Sequence, residues 1–498
     1  MISILSRYLK LKSSGYYYSQ NYKNYRKKSH SKTLNLFYKA AKEIPAYKDF
    51  LKKNKIKYEN IKSIEDFKRI PVTTKENYIQ EYDLKQRCWN GEITKIHTFA
   101  ASSGSTGDPL FWPRDVVEEV EGAQIHELLF DKVYQVRKYK TLFINSFGLG
   151  NWIAGIYTEM CLYLMRLHGL PFTLASPGYN QEETFKVIKG FSHYFDQTII
   201  ACHPPILKMM VENGKNEAIN WEKLNIKFLG AGEGFSENWR DYLLSLVGQH
   251  DKFRTIINIY GSADAGLMGF ETPLSIALHR ETAGNHLLNR ILFKSERNPY
   301  LYQFDPLKKY IESVDDEIVL TMNSAMPLLR YNIHDNGSTL ESAFLLDTVN
   351  ERSPLFLKTL KVLNIQPKDW QFPFVYIFGR GQYMTSFYGV NIYPENIKAV
   401  LEHTSLQSSV TGRFVVSKDA DSSQDPYMIL RIELKPDVRI SKNLMNKTRR
   451  LFVKILKDIN SEYNQVEDKF KEKMHPKIIL HKYNDPVLFP EGKIKKMG

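Results

Sequence analysis

Cysteine is scarce in this chain: Cys88, Cys161 and Cys202 are the only three among 498 residues, and they stand far apart. No CxxC pair occurs, which argues against a structural zinc site, and three thiols cannot staple so long a chain. The cysteine usage therefore points to a reducing compartment. No apolar run is long enough to cross a bilayer. Arg7, Lys10 and Lys12 break the apolar core that a secretory leader would need near the N-terminus. These absences predict a soluble, cytoplasmic protein. No Gly-Lys-Ser/Thr triplet completes a Walker loop, no Ser-His-Asp arrangement suggests a protein nucleophile, and there is no internal repeat.

Acidic residues are sparse at one end. Residues 1–60 carry fifteen Lys/Arg against three Asp/Glu, so they hold +12 of the chain's formal +14. The run Tyr22-Lys-Asn-Tyr-Arg-Lys-Lys28 mixes bases with aromatics, a composition suited to an anionic partner or to a solvated basic face. No nucleic-acid-binding motif accompanies it.

The hydrophobic share is 43%, enough for a large core, and aromatics reach 13%, with 30 Tyr and 28 Phe. The length suggests two or three units. Apolar positions at Leu34, Phe37, Ala40, Ala41 and Ile44 predict an amphipathic helix over 33–55, interrupted at Pro45. Ser63-Ile-Glu-Asp66 has the spacing of a capping box. In the middle, apolar runs at 141–145, 196–201, 226–230 and 255–260 are each followed by glycine or proline and then a helical pattern. That alternation predicts an α/β unit with mainly parallel strands, whose ligands sit at the carboxyl ends of strands. After about 378 the pattern changes to a compact α+β unit, with helices near 394–404 and 441–461, strands near 412–417 and 427–435, and a hairpin loop over 418–425. The expected division is 1–378, a hinge at 379–382, and a small domain at 383–498.

Six chemistry-bearing motifs follow one another along the chain, and two of them, at 230–234 and 258–264, close strands of this alternation. Ala101-Ser-Ser-Gly-Ser-Thr-Gly-Asp-Pro109 has two glycines for tight turns and hydroxyls that can donate to phosphate oxygens, although such a run standing alone is more often a flexible loop. Gly230-Ala-Gly-Glu-Gly234 ends a strand with glycines that let a ligand approach the backbone. Asn258-Ile-Tyr-Gly-Ser-Ala-Asp264, Leu329-Arg-Tyr-Asn-Ile-His-Asp335, Phe378-Gly-Arg-Gly-Gln382 and Phe489-Pro-Glu-Gly-Lys-Ile-Lys-Lys496 follow in order.

Taken together these segments resemble the adenylate-forming superfamily of acyl-CoA synthetases and adenylation domains, and within it the phenylacetate–CoA ligases and the capsule-biosynthesis-like relatives grouped with them. Ser102 to Pro109 matches that group's Ser-Ser-Gly-Thr-Thr-Gly-x-Pro loop with one Ser/Thr exchange, and 41–47 and 70–75 resemble its N-terminal landmarks. The likeness spans nearly the whole chain.

The resemblance implies a large N-terminal domain followed by a small, mobile C-terminal one. It also implies a ligase that activates a carboxylic acid as acyl-AMP, with release of pyrophosphate. Ser102, Ser103, Gly104, Ser105, Thr106 and Gly107 would hold ATP phosphates. Gly232, Glu233 and Gly234 would lie against adenine and the acyl group; Tyr260, Gly261 and Ser262 would meet the nucleotide, with Tyr260 stacking on adenine. Asp335 would accept from both ribose hydroxyls, Arg380 would contact ribose or phosphate, Asp264 would help hold Mg²⁺, and Lys493 would be the catalytic cation. Phe147 and Trp152 would line the acyl pocket, and Gly389 an acceptor tunnel for coenzyme A. Three departures stand out: Asp264 where the family has glutamate, Ala263 where it has a hydroxyl residue, and Gln382 where the hinge acid is expected. His334 reads as a structural partner and not as a catalyst. Transfer to an amine, transfer to a carrier protein, and a nucleotide-binding relative without catalysis remain alternatives to the thioester.

Overall fold

The computed structural model describes residues 8–9, 25–102, 110–283, 285–295, 297–380, 385–406 and 408–489. Helix Tyr25–Glu43 buries Phe37, Ala40 and Ala41, and a second helix, Pro45–Lys53, starts on the proline. Proline has no amide to donate and is pre-set for the first helical position, so the break falls where the sequence places it. The capping box also forms: Ser63 accepts from the Asp66 amide, and the Asp66 carboxylate accepts from the Ser63 amide at 3.0 Å.

Contacts divide the chain into two units. One comprises Met1–Ala100, Phe111–Cys202 and Met210–Gly379; the other comprises Ala101–Leu110, His203–Met209 and Arg380–Gly498. A two-stranded ribbon pairs β1 (Thr98–Ser102) with β2 (Leu110–Arg114). The first unit is dominated by a sheet in which eleven strands are described: β3 (Thr141–Asn145), β4 (Phe172–Ala175), β5 (Gln197–Cys202), β6 (Ile226–Ala231), β7 (Ile256–Ser262), β8 (Gly266–Phe270), β9 (Tyr300–Gln303), β10 (Lys309–Val314), β11 (Glu317–Met322), β12 (Leu328–Leu340) and β13 (Phe374–Arg380). Their spatial order is β10-β11-β12-β13-β9-β8-β7-β6-β5-β3-β4.

From β4 to β7 every pairing is parallel. Strands β3 and β5 are buried at every position, as expected when helices cover both faces. Helix Val116–Lys132 packs against helix Ile153–Leu167, with Phe130, Leu129, Cys161 and Met165 fully buried in the shared core. Beyond β7 the sheet continues antiparallel through β8 and β9 to β13, and again through β12, β11 and β10. The parallel half is the one the sequence alternation marks. The antiparallel half extends it across 266–380.

The N-terminal segment is stitched to this second half. Thr73 bridges to Tyr331 on β12: its amide donates to the Arg330 carbonyl at 2.9 Å, and its carbonyl accepts from the Asn332 amide at 2.9 Å. The Arg330 guanidinium donates to the Ile70 carbonyl and pairs with Glu312 at 2.8 Å.

In the second unit, β14 (Thr385–Phe387) and β15 (Val390–Ile392) form a hairpin, and β16 (Val410–Ala420), β17 (Pro426–Leu434) and β18 (Lys477–His481) form a sheet. Helix Lys442–Ile459 buries Thr448, Phe452 and Leu456, spaced four apart on one face. Burying each of the two large side chains stabilises by about 1.5–3 kcal/mol. The β16–β17 hairpin is longer than the sequence indicates, pairing as far as Ala420 with Pro426. The loop shrinks to 421–425, where the Asp421 carboxylate accepts from the Ser423 and Asp425 amides at 2.9 Å each. That side-chain capping is what an Asp-rich turn supplies.

Candidate functional site

Most of the described candidate residues lie in the first unit, where the sheet changes from parallel to antiparallel at the end of β7. Strand β7 carries Asn258 and Tyr260 and ends with Gly261 and Ser262. Asn258 is 2% exposed and works as a hub. Its side-chain amide donates to the Glu233 carbonyl at 3.0 Å and to the Tyr302 hydroxyl at 3.1 Å, and its backbone amide donates to Glu271 at 2.7 Å. The first of these bonds fixes the glycine turn after β6.

Within that turn Gly232 has φ +92°, and Gly234 faces the ring of Tyr300, which a Cβ would meet at 2.4 Å. Helix Glu237–Leu246 follows, capped by Ser236. On its buried face Arg240 is fully buried between Glu237 (3.0 Å) and Glu271 (2.7 Å), and Glu237 also receives His279 and Arg280 at 2.8 Å each. Burial alone would raise the Glu237 carboxyl; Arg240, His279 and Arg280 outweigh it and hold it down at about 2. Glu271 moves the other way, because burial exceeds what Arg240 returns. This ion cluster sets Asn258, and through it both the turn and the Tyr302 ring.

Tyr260 stacks on Tyr302 with ring centroids 5.5 Å apart and planes at 22°. Its hydroxyl donates to Asp335 Oδ2 at 2.5 Å, joining residues that are 75 apart in sequence. Asp335 sits on β12 and is 3% exposed. Two left-handed residues, Arg330 (φ +46°) and His334 (φ +59°), distort this strand. His334 pairs with Glu317 at 3.1 Å, a structural role. Asp264 lies in the turn between β7 and β8. Ser262 donates to one of its oxygens, and Tyr331 donates to the other at 3.1 Å.

The structure therefore brings together Tyr260 with Asp335, Ser262 with Asp264, and Glu233 with Asn258. Phe147 is fully buried in the core around helix Ile153–Leu167, and Trp152, half-buried, begins that helix. Ser102 ends β1 and Arg380 ends β13; their side chains are outside what is described, as are residues Ser103, Gly104, Ser105, Thr106, Gly107, Gln382 and Lys493. Gly389 belongs to the second unit, in the two-residue turn between β14 and β15. Tyr302, Glu271 and Arg114 are neighbours of these residues that lie in none of the quoted motifs, and Tyr331 stands inside the 329–335 segment but is not among its candidate residues.

Among the described residues no group of three His, Cys, Asp or Glu could hold a metal ion. Asp264 offers a single carboxylate. Mg²⁺ characteristically takes one or two carboxylates and completes its shell with water and substrate phosphates, so this donor fits a metal carried mainly by a nucleotide. No helix among the described residues is long and apolar enough to cross a membrane.

No protein-family model matches the chain, and no curated protein matches it. Solved structures do. A structure of 2-hydroxyisobutyryl-CoA ligase in complex with 2-HIB-AMP and CoA, in the thioesterification state, is 15% identical, with a TM-score of 0.60 over 94% of this chain and 88% of that one. The same ligase in the postadenylation state with R3-HIB-AMP gives 14% identity and a TM-score of 0.51 over 94% and 88%. An open conformation with 2-HIB-AMP and CoA gives 14% and 0.51 over 94% and 90%. At such identity the likeness establishes architecture: this chain has the fold of an adenylate-forming CoA ligase over nearly its whole length.

Proposed function

We propose that this protein is an adenylate-forming ligase of the phenylacetate–CoA ligase-like kind, which activates a carboxylic acid with ATP and passes the acyl group to the thiol of coenzyme A. The observation that carries this reading is the Tyr260–Asp335 pair: an aromatic ring whose hydroxyl is bonded to a nearly buried carboxylate, beside a glycine turn. A ring supplies a platform for a base, and a carboxylate is the acceptor that a ribose diol requires. The likeness to a ligase captured with an acyl-AMP and CoA supports the reading at the level of fold.

In the first step a carboxylate oxygen attacks the α-phosphorus of ATP. The bond to the β-phosphate oxygen breaks, giving acyl-AMP and pyrophosphate. In the second step a thiol sulfur, having given up its proton to water, attacks the acyl carbonyl, and AMP leaves with the electron pair. The chain's task in the first step is to bring two anions together and orient them. Tyr260 would seat the base and Asp335 the ribose, while the Gly232–Gly234 turn would lie against adenine and the acyl group. Residues Ser102 to Gly107 would receive the departing pyrophosphate. Lys493 would offset charge at the reacting oxygens, Arg380 would contact ribose or phosphate, and Phe147 and Trp152 would bound the acid. Asp264 would hold Mg²⁺, which, when bound, neutralises phosphate charge. The assignment includes a hinge at 379–382, a thiol path past Gly389, and a cytoplasmic location.

The test is acid-dependent ATP–pyrophosphate exchange over a panel of aryl, hydroxy and fatty acids, followed by product mass after adding either CoA or a mixture of amines. Exchange with at least one acid and a thioester product are expected. ATP binding without exchange by any acid would favour a non-catalytic nucleotide-binding protein, and an amide formed with no thioester at any CoA concentration would replace the acceptor.

A further inference from the structure

We infer that Arg114 is a positioning residue for the Ser262–Asp264 turn, acting on the peptide that joins its two polar members. Its meaning for catalysis rests on the adenylation reading above; the geometry does not.

Arg114 closes β2, five residues beyond the Ser102–Pro109 motif, and is 2% exposed. One arm of its guanidinium donates to the Ala263 carbonyl. The other pairs with Glu118, which is also 2% exposed and lies in the first turn of helix Val116–Lys132. Glu118 is itself anchored, its carbonyl accepting from the Tyr157 hydroxyl at 3.1 Å. The guanidinium lies 5.7 Å from the Tyr157 ring centre. On its remaining side is Gly266 (φ +64°), where a Cβ would sit 3.0 Å from Nη1. A planar guanidinium spans a carboxylate and a carbonyl in one fixed fork, which an ammonium cannot do.

The turn is thus held in two ways. Hydroxyls of Ser262 and Tyr331 hold the Asp264 carboxylate, and the Ser262 hydroxyl also accepts from the Ala265 amide at 3.2 Å. Arg114 holds the Ala263 carbonyl between them. Ala263 has no polar side chain to fix its own place. Asp264 is one methylene shorter than glutamate, so its reach toward a metal depends on where the backbone is set. A buried Arg–Glu pair is a costly way to hold one peptide unless that setting matters.

The experiment replaces both charges together, Arg114→Met with Glu118→Gln, so that no buried charge is left unpaired, alongside Arg114→Lys alone. Three quantities are read. Without ligand, hydrogen exchange of the 262–266 amides should quicken at least tenfold in the double variant. By calorimetry, the gain in ATP affinity on adding Mg²⁺ should fall about tenfold, with metal-free ATP affinity within threefold of the parent. In pyrophosphate exchange, kcat should fall with the KM for acid unchanged. Arg114→Lys should lie between, since it restores charge without the fork. Hydrogen exchange and Mg²⁺ enhancement both within twofold of the parent, in a variant with native melting, would overturn the inference. Should the double variant not fold, Arg114→Lys is read by the same criteria. If the parent shows no Mg²⁺ enhancement, the adenylation reading falls, and the hydrogen-exchange arm still decides whether Arg114 holds the turn.

Discussion

The hydroxyl of Tyr260 lies 2.5 Å from the Asp335 carboxylate, bonding the last turnward aromatic of a parallel strand to an acid on the far side of β8, β9 and β13. The two residues are therefore one unit in the site, and substitution at either changes the other. Asp335→Asn should weaken ATP binding about tenfold, because a charge-assisted bond contributes about 1.5–3 kcal/mol and the amide keeps only part of it. Tyr260→Phe keeps the ring and should cost only a few-fold. The double variant should lose less than the two effects summed, by about 1 kcal/mol. Calorimetric ATP titration of the four proteins decides this, and strict additivity would show that the hydrogen bond plays no part in binding.

Gly234 faces an aromatic ring, and that sets a prediction about stability. A Cβ at this position would stand 2.4 Å from Tyr300, so Gly234→Ala must displace the ring or the turn. Overpacking of this sort costs about 1–3 kcal/mol. Combining it with Tyr300→Ala should return part of that loss. Urea midpoints measure both, and an unchanged midpoint in Gly234→Ala would mean the turn shifts freely.

The Arg240 cluster predicts a pH dependence. Glu237 titrates at about 2 in the fold, below the usual glutamate range, so its stabilisation is complete above about pH 4.5 and is lost as pH falls from there toward 2. Glu237→Gln should cost about 2–4 kcal/mol at pH 7, where it leaves the buried Arg240 guanidinium with Glu271 alone. The gap between parent and variant should narrow steadily below pH 4.5. Glu271 is raised partly by Glu237, so its opposite contribution differs between the two proteins, but that difference acts above pH 4.5 and leaves the narrowing below it to Glu237. A gap that stays constant from pH 7 to pH 3 would separate Glu237 from the cluster.

Much of the site was legible because glycines mark strand ends. The turn at 230–234 and the 258–264 segment both close buried strands of the parallel half, whose unbroken apolar runs are easy to read. Strands β9 to β13 were not legible. They are short or mixed in polarity, and β12 is broken by left-handed residues at Arg330 and His334, which erases its two-residue period. The supporting residues were hidden for a different reason. Tyr302, Glu271 and Arg114 reach the site across 44, 13 and 149 residues, through side-chain bonds that no periodicity encodes. The sequence also presents Gly389 only as a possible path for a thiol, whereas its backbone has a requirement of its own.

That requirement shapes the last prediction. Tyr388 (φ +52°) and Gly389 (φ +77°) are the two loop residues between the Phe387–Val390 pair, and positive φ at both is what a type I′ hairpin turn demands. Tyr388 is anchored, its ring buried and stacked on Phe470 at 5.6 Å. Gly389 is therefore the position that absorbs the left-handed conformation, and a bulky residue there would strain the hairpin whatever its effect on catalysis. Asparagine separates the two roles, since it tolerates the left-handed region yet adds a side chain. The atoms nearest a Cβ at 389 would be those of the His203 imidazole, at an ordinary 3.4 Å. Gly389→Asn should thus keep melting close to that of the parent and spare acid-dependent pyrophosphate exchange. If the hairpin borders the thiol path, thioester formation should fall tenfold or more, through the KM for CoA or the transfer rate. Equal loss of exchange and thioester would mean that the hairpin serves adenylation itself. Full retention of both, with normal melting, would leave Gly389 a turn residue and nothing more.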